Sequence, residues 1–74
     1  ADLSILGQDW ENYLHYSQSV RKEYAIYPDF IYNPGRKKVL QHFLEMDSIF
    51  KTDFFYQKFE EQAKSNIQKE IAKL

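Results

Sequence analysis

Seventy-four residues with ten basic and eleven acidic side chains carry a formal net charge of −1, so no general field favours nucleic acid or an anionic lipid surface. The absence of Cys excludes disulfides, thiolate metal sites and thiol catalysis, and suits a reducing cytoplasm. A hydrophobic content of 43% is too high for a disordered tail, while no apolar run approaches the roughly 18 residues of a membrane span. The expectation is a cytoplasmic, all-α unit covering residues 1–74 and lacking a signal peptide.

Ala1-Asp2-Leu3-Ser4-Ile5-Leu6-Gly7 reads as the last turns of a helix that begins upstream of this chain. Gly7 is the residue expected just past a helix C-terminus, where the backbone turns left-handed. Asp2 then sits on an apolar helix, where a carboxylate wants a hydrogen-bond donor, a cation or a metal.

A first full helix is expected over about residues 9–25. Asp9 is its N-cap, and Trp10, Tyr13, Leu14, Val20 and Tyr24 form one apolar face that includes Ser17. Pro28 stops it. The connector Ala25–Tyr32 is apolar enough to pack down, with a helical turn at Pro28–Ile31.

Asn33-Pro34-Gly35-Arg36 predicts a second helix start, with Asn33 as N-cap and Pro34 in the first turn. That helix spans about 34–46 and buries Val39, Leu40, Phe43 and Leu44. Ile49 and Phe50 are expected to plug a gap in the link that follows. Thr52 caps a third helix over about 53–73, in which Phe55, Phe59, Ala63, Ile67 and Ile71 recur every four residues. Such a stripe winds around the helix, because each step overshoots a turn by about 40°. Glu60 and Lys64 form an i,i+4 pair on this helix.

Few side chains suggest chemistry. His15 has no His, Asp or Glu at i+3 or i+4, and His42 has only Glu45 at i+3 with no second His, so both read as surface or boundary residues. Arg36, in the first turn of its helix, is a phosphate-contact candidate, because backbone N–H groups and the dipole attract anions there. Arg21 is a second candidate, although Arg21-Lys22-Glu23-Tyr24 reads first as an ion pair with a tyrosine capping the core. The thirteen-odd per cent of basic residues are interrupted by acids, and the aromatics fall at core spacings, so nucleic-acid binding is disfavoured.

Five blocks taken in order carry a resemblance: Ala1–Gly7, Val20-Arg21-Lys22-Glu23-Tyr24, Gly35–Leu44, Ile49-Phe50-Lys51-Thr52 and Ala63-Lys64-Ser65-Asn66-Ile67. Together they resemble the C-terminal part of the predicted metal-dependent HD-superfamily phosphohydrolases. The resemblance implies a helical HD-type bundle whose N-terminal helices are absent here, and a divalent metal held by a His, a His-Asp pair and a later Asp. Asp2 matches that later Asp, so it is implied to be a metal ligand. The His and His-Asp ligands belong to an upstream segment of the same protein, which is the implied partner.

The implied reaction is hydrolysis of a phosphate ester on a phosphorylated small molecule, possible only in the intact protein. One carboxylate cannot hold a catalytic metal, so this chain alone is expected to be inactive. The phosphate roles of Arg36 and Arg21 rest on charge and helix position, not on the resemblance. Two rivals stand beside this reading: a non-enzymatic helical protein–protein interaction module, and a small nucleic-acid binder using Arg36–Lys38.

Overall fold

The computed structural model describes residues 3–74 and is all-helical. A 3₁₀ segment, Leu3–Gly7, precedes α1 (Trp10–Glu23), α2 (Asp29–Glu45) and α3 (Asp53–Lys73). Two expected caps are present. The Asp9 side chain accepts from the Asn12 N–H at 3.0 Å, and Thr52 Oγ1 accepts from the Phe55 N–H at 3.4 Å. Each satisfies one of the orphan donors at a helix N-terminus.

The longest helix, α3, is the beam on which the rest lies. The 3₁₀ segment, α1 and α2 all pack on α3, whereas no Cα of α1 comes within 8 Å of a Cα of α2. The core is correspondingly narrow: Leu6, Tyr13, Leu40, Ile49, Phe50, Ala63 and Ile67. Ile49 and Phe50 do plug the gap before α3, at 2% and 7% exposure. Among the described residues no helix is long and apolar enough to cross a membrane.

Several sequence expectations are corrected. The described part of the opening heptad is a 3₁₀ turn, and Gly7 does not have the left-handed backbone assigned to it. Its requirement is steric: a Cβ on Gly7 would stand 2.5 Å from Phe59 Cβ and 2.8 Å from the Phe59 carbonyl oxygen. Gly7 therefore lets the opening segment lie directly on the α3 backbone.

The second helix starts at Asp29 rather than Pro34, and Pro28, not Asn33, occupies its N-cap position. The Pro28 carbonyl accepts from the N–H groups of Ile31 and Tyr32 at 3.0 and 2.9 Å, so the predicted turn after Pro28 simply continues. Pro34 lies inside the helix, where it removes the bond that its N–H would make to the Phe30 carbonyl. The helix tolerates this in its exposed opening turns.

Arg36 is consequently in mid-helix, far from free N-terminal N–H groups. Nor does the connector pack down, since Ile26 and Phe30 are 87% and 77% exposed. Tyr24, Val39 and Phe55, expected on buried faces, are also exposed. With α1 and α2 held apart, Tyr24 and Val39 line the gap between them and have no opposing helix to bury them.

The two glycines make opposite predictions. Gly7→Ala is expected to lower unfolding free energy by about 1–3 kcal/mol through overpacking against Phe59. Gly35 has nothing within 4 Å of where a Cβ would stand, so Gly35→Ala is expected to raise it by about 0.5–1 kcal/mol. Urea unfolding of the two variants checks both signs.

Candidate functional site

Three side chains from three helices meet at a buried carboxylate. Glu70, on α3, receives the Tyr13 hydroxyl on Oε1 at 2.5 Å. Arg36 Nε donates to Glu70 Oε2 at 2.7 Å, and Arg36 Nη2 donates to Oε1 at 3.1 Å. The Arg36 and Glu70 side chains are each only 9% exposed, and Tyr13 is fully buried. A bidentate Arg–carboxylate fork of this kind offsets the desolvation of both ions better than a single contact would.

The surroundings shift two of these groups. Burial pushes the Tyr13 phenol well above its ordinary value, and the bond to Glu70 adds to the effect. For Arg36, burial works against the charged form, but the Glu70 hydrogen bonds outweigh it and raise the guanidinium further. Tyr32, nearby, is raised mainly by burial.

Two further polar residues organise the α3 face. Glu60 caps the link before α3, accepting from the Ile49 N–H and the Phe50 N–H at 3.0 Å each, with Lys64 Nζ at 3.6 Å as the expected i,i+4 partner. Burial alone would raise the Glu60 carboxyl, but these N–H donors and Lys64 hold it below the usual range. Asn66, fully buried, donates from Nδ2 to the Leu6 carbonyl at 2.9 Å and the Gln8 carbonyl at 2.7 Å. It accepts from Gln62 Nε2 at 2.8 Å. Asn66 and Gly7 together clamp the opening segment onto α3.

Two open clefts flank this network. The first, of about 490 Å³, lies between the C-terminal half of α1 and the N-terminal half of α2, and its walls are mainly tyrosine and aliphatic side chains. The second, of about 600 Å³, is lined mostly by residues of polar type: Ser4, Gln8, Asn12, His15 and Ser19 beside Ile5 and Tyr16. Tyr16 borders both.

The residues singled out from sequence fall as follows. Asp2 lies outside the described residues. Arg36 points its charge at Glu70, so the helix-terminus reason for a phosphate contact falls away. Arg21 Nη1 donates to the Tyr24 carbonyl, and Nη2 to the Tyr27 carbonyl and to Asp29, while the guanidinium lies 4.4 Å from the Tyr32 ring centroid. It closes the α1–α2 link, in line with the ion-pair reading. His15 is exposed on the polar cleft, and His42 is exposed beside Phe43. Among the described residues no three His, Cys, Asp or Glu side chains are grouped to hold a metal ion.

Sequence reasoning missed Tyr13 as a donor and Glu60, Asn66 and Glu70 as buried polar groups. A signal existed: Glu60, Asn66 and Glu70 fall within the turns of α3 that carry Ala63 and Ile67. Their partners, up to 60 residues away, were not legible. No family model, no curated protein and no solved structure matches this chain.

Glu70→Gln leaves the Arg36 charge buried without its counter-ion and is expected to cost about 3 kcal/mol. Tyr13→Phe keeps the ion pair and is expected to cost only about 1 kcal/mol. Chemical unfolding of both variants tests that order.

Glu60 supplies a pH test. Its carboxyl is lower in the folded chain than its ordinary 4.5, so its contribution is present above that value and fades as pH falls through the folded one. Glu60→Gln is expected to lower stability at neutral pH and to flatten the acid limb of an unfolding-against-pH profile. Tyr13 acts at the other end: its raised phenol stabilises below about pH 10 and loses that contribution as pH climbs further.

Proposed function

We propose that the chain is the C-terminal helical part of a metal-dependent HD-type phosphohydrolase of the cytoplasm, acting on a phosphorylated small molecule. In this reading Asp2 supplies one ligand to a divalent metal, and an upstream segment of the same protein supplies the His and the His-Asp pair. The observation that carries most weight beside the sequence resemblance is the clamp on the opening segment. Asn66 holds the carbonyls of Leu6 and Gln8, and Gly7 lies against Phe59, so the stretch that follows Asp2 is anchored to the longest helix. A metal ligand needs such support, because a loosely held ligand binds its metal more weakly.

The described residues do not themselves fit a divalent metal, having no ligand cluster. The described residues anchor the segment that follows Asp2 in sequence and wall the polar cleft that Ser4 lines. Arg36 and Arg21 are engaged by Glu70 and Asp29, which argues for structural roles over the phosphate contacts first considered. Ile26, Phe30 and Phe54, all strongly exposed, give the upstream helices an apolar surface to cover. That exposure equally favours the second reading, a helical interaction module, and the two part company at Asp2.

The test uses the intact protein. Metal content by elemental analysis and hydrolysis of a panel of phosphate esters are both expected to collapse in Asp2→Ala. Asn66→Ala is expected to reduce metal content partially, by about 10-fold in affinity, as loss of a supporting contact does. Metal and activity unchanged in Asp2→Ala would overturn the reading in favour of the interaction module.

A further inference from the structure

The apolar cleft contains a feature that the chain itself does not explain. Gly35 stands inside α2, where a glycine weakens the helix relative to alanine. Its backbone has no positive φ, and nothing lies within 4 Å of where a Cβ would be. Gly7 has Phe59 as its reason; Gly35 has no such neighbour. It lines the cleft, so the missing side chain leaves room for something from outside the chain.

The walls indicate what that is. Tyr24 and Tyr27 stand with ring centroids 6.3 Å apart, and Tyr24 and Tyr32 are 6.4 Å apart. Tyr24, Tyr27, Ile31 and Val39 are each about half exposed. The cleft's volume is within the range of small-ligand sites, and its lining is mainly apolar.

Charge disfavours an anion as the occupant. Arg36 is neutralised by Glu70, Arg21 by Asp29, and Glu23 on the wall has no cationic partner within 4 Å among the described residues. The guanidinium of Arg21 already covers Tyr32, which disfavours a compact cation. A flat aromatic ring, able to stack on the tyrosines over Gly35, suits these walls best. Tyr16 joins this cleft to the polar one that Ser4 lines two residues beyond Asp2.

We infer that the cleft over Gly35 seats an aromatic ring of the substrate, the uncharged organic half of the phosphate ester. The assignment of that ring to a substrate rests on the phosphohydrolase reading; the ring-binding cleft itself does not.

The test separates the two. In the intact protein, 2-naphthol is titrated while the ring resonances of Tyr24 and Tyr27 and the methyls of Val39 are followed by NMR. Shifts are expected at these residues, with affinity falling by about tenfold or more in Gly35→Leu, which fills the cleft, and in Tyr27→Ser, which removes a wall on the exposed link. For turnover, KM for naphthyl phosphate is expected to rise in both variants relative to KM for glycerol phosphate, which has no ring to seat. Absence of shifts, or equal naphthol affinity in parent and both variants, would overturn the cleft assignment whatever the metal measurements give. Naphthol binding retained in Asp2→Ala with metal and activity also unchanged would overturn the phosphohydrolase reading, and with it the link between ring and substrate.

Discussion

The fold depends on one carboxylate placed where carboxylates are costly. Glu70 lies near the end of α3, nearly buried, and holds Tyr13 of α1 and Arg36 of α2 at once. Because α1 and α2 do not touch through their backbones, this is the polar knot joining the three helices. Each partner stabilises the others: Arg36 neutralises Glu70, and the Tyr13 hydroxyl occupies an oxygen that would otherwise lack a second donor. Low dielectric makes such a network strong when complete and costly when broken. Around it the apolar core is small, so direction and register come from the polar contacts.

The same logic repeats along α3. Glu60 ties down the link that enters the helix, Asn66 ties down the opening segment, and Glu70 ties α1 to α2. Three polar groups on one buried face make the helix a template, each accepting or donating across to a separate part of the chain. No buried side-chain polar atom among the described residues is left without a partner. What stays open is the cleft over Gly35, between α1 and α2, and the polar cleft between the opening segment and α1, which meet at Tyr16.

This arrangement also sorts the arginines. Arg36 reads from sequence as a cation in the first turn of a helix, where phosphate is often bound, and Arg21 as a second cation at the far end of α1. Each instead meets a carboxylate of its own chain, Arg21 also bonding two carbonyls of the link. A guanidinium already held by a carboxylate has little charge to offer a ligand. The surface left near the clefts is therefore mainly tyrosine and aliphatic on one side, with Glu23 at its wall, and carries hydroxyl, amide and imidazole groups on the other.

Local signals in the sequence determined the all-helical class, the caps at Asp9 and Thr52, the third helix almost to its ends, and the plugging role of Ile49 and Phe50. These follow from periodicity and capping, which act over one or two turns. Local rules failed at Pro34, where proline after Asn mimics a helix start, yet the turn after Pro28 had already begun the helix. They failed again at Gly7 and across Ala25–Tyr32. There the outcome depends on whether another element arrives: Phe59 meets Gly7, and nothing described meets Ile26 or Phe30. The partnership of Glu70 with Tyr13 and Arg36, and the clamp of Asn66 on Leu6 and Gln8, were decided only by tertiary structure. A carboxylate or amide is ordinary on any helix, and its meaning comes from donors and acceptors that only the folded chain brings within 3 Å.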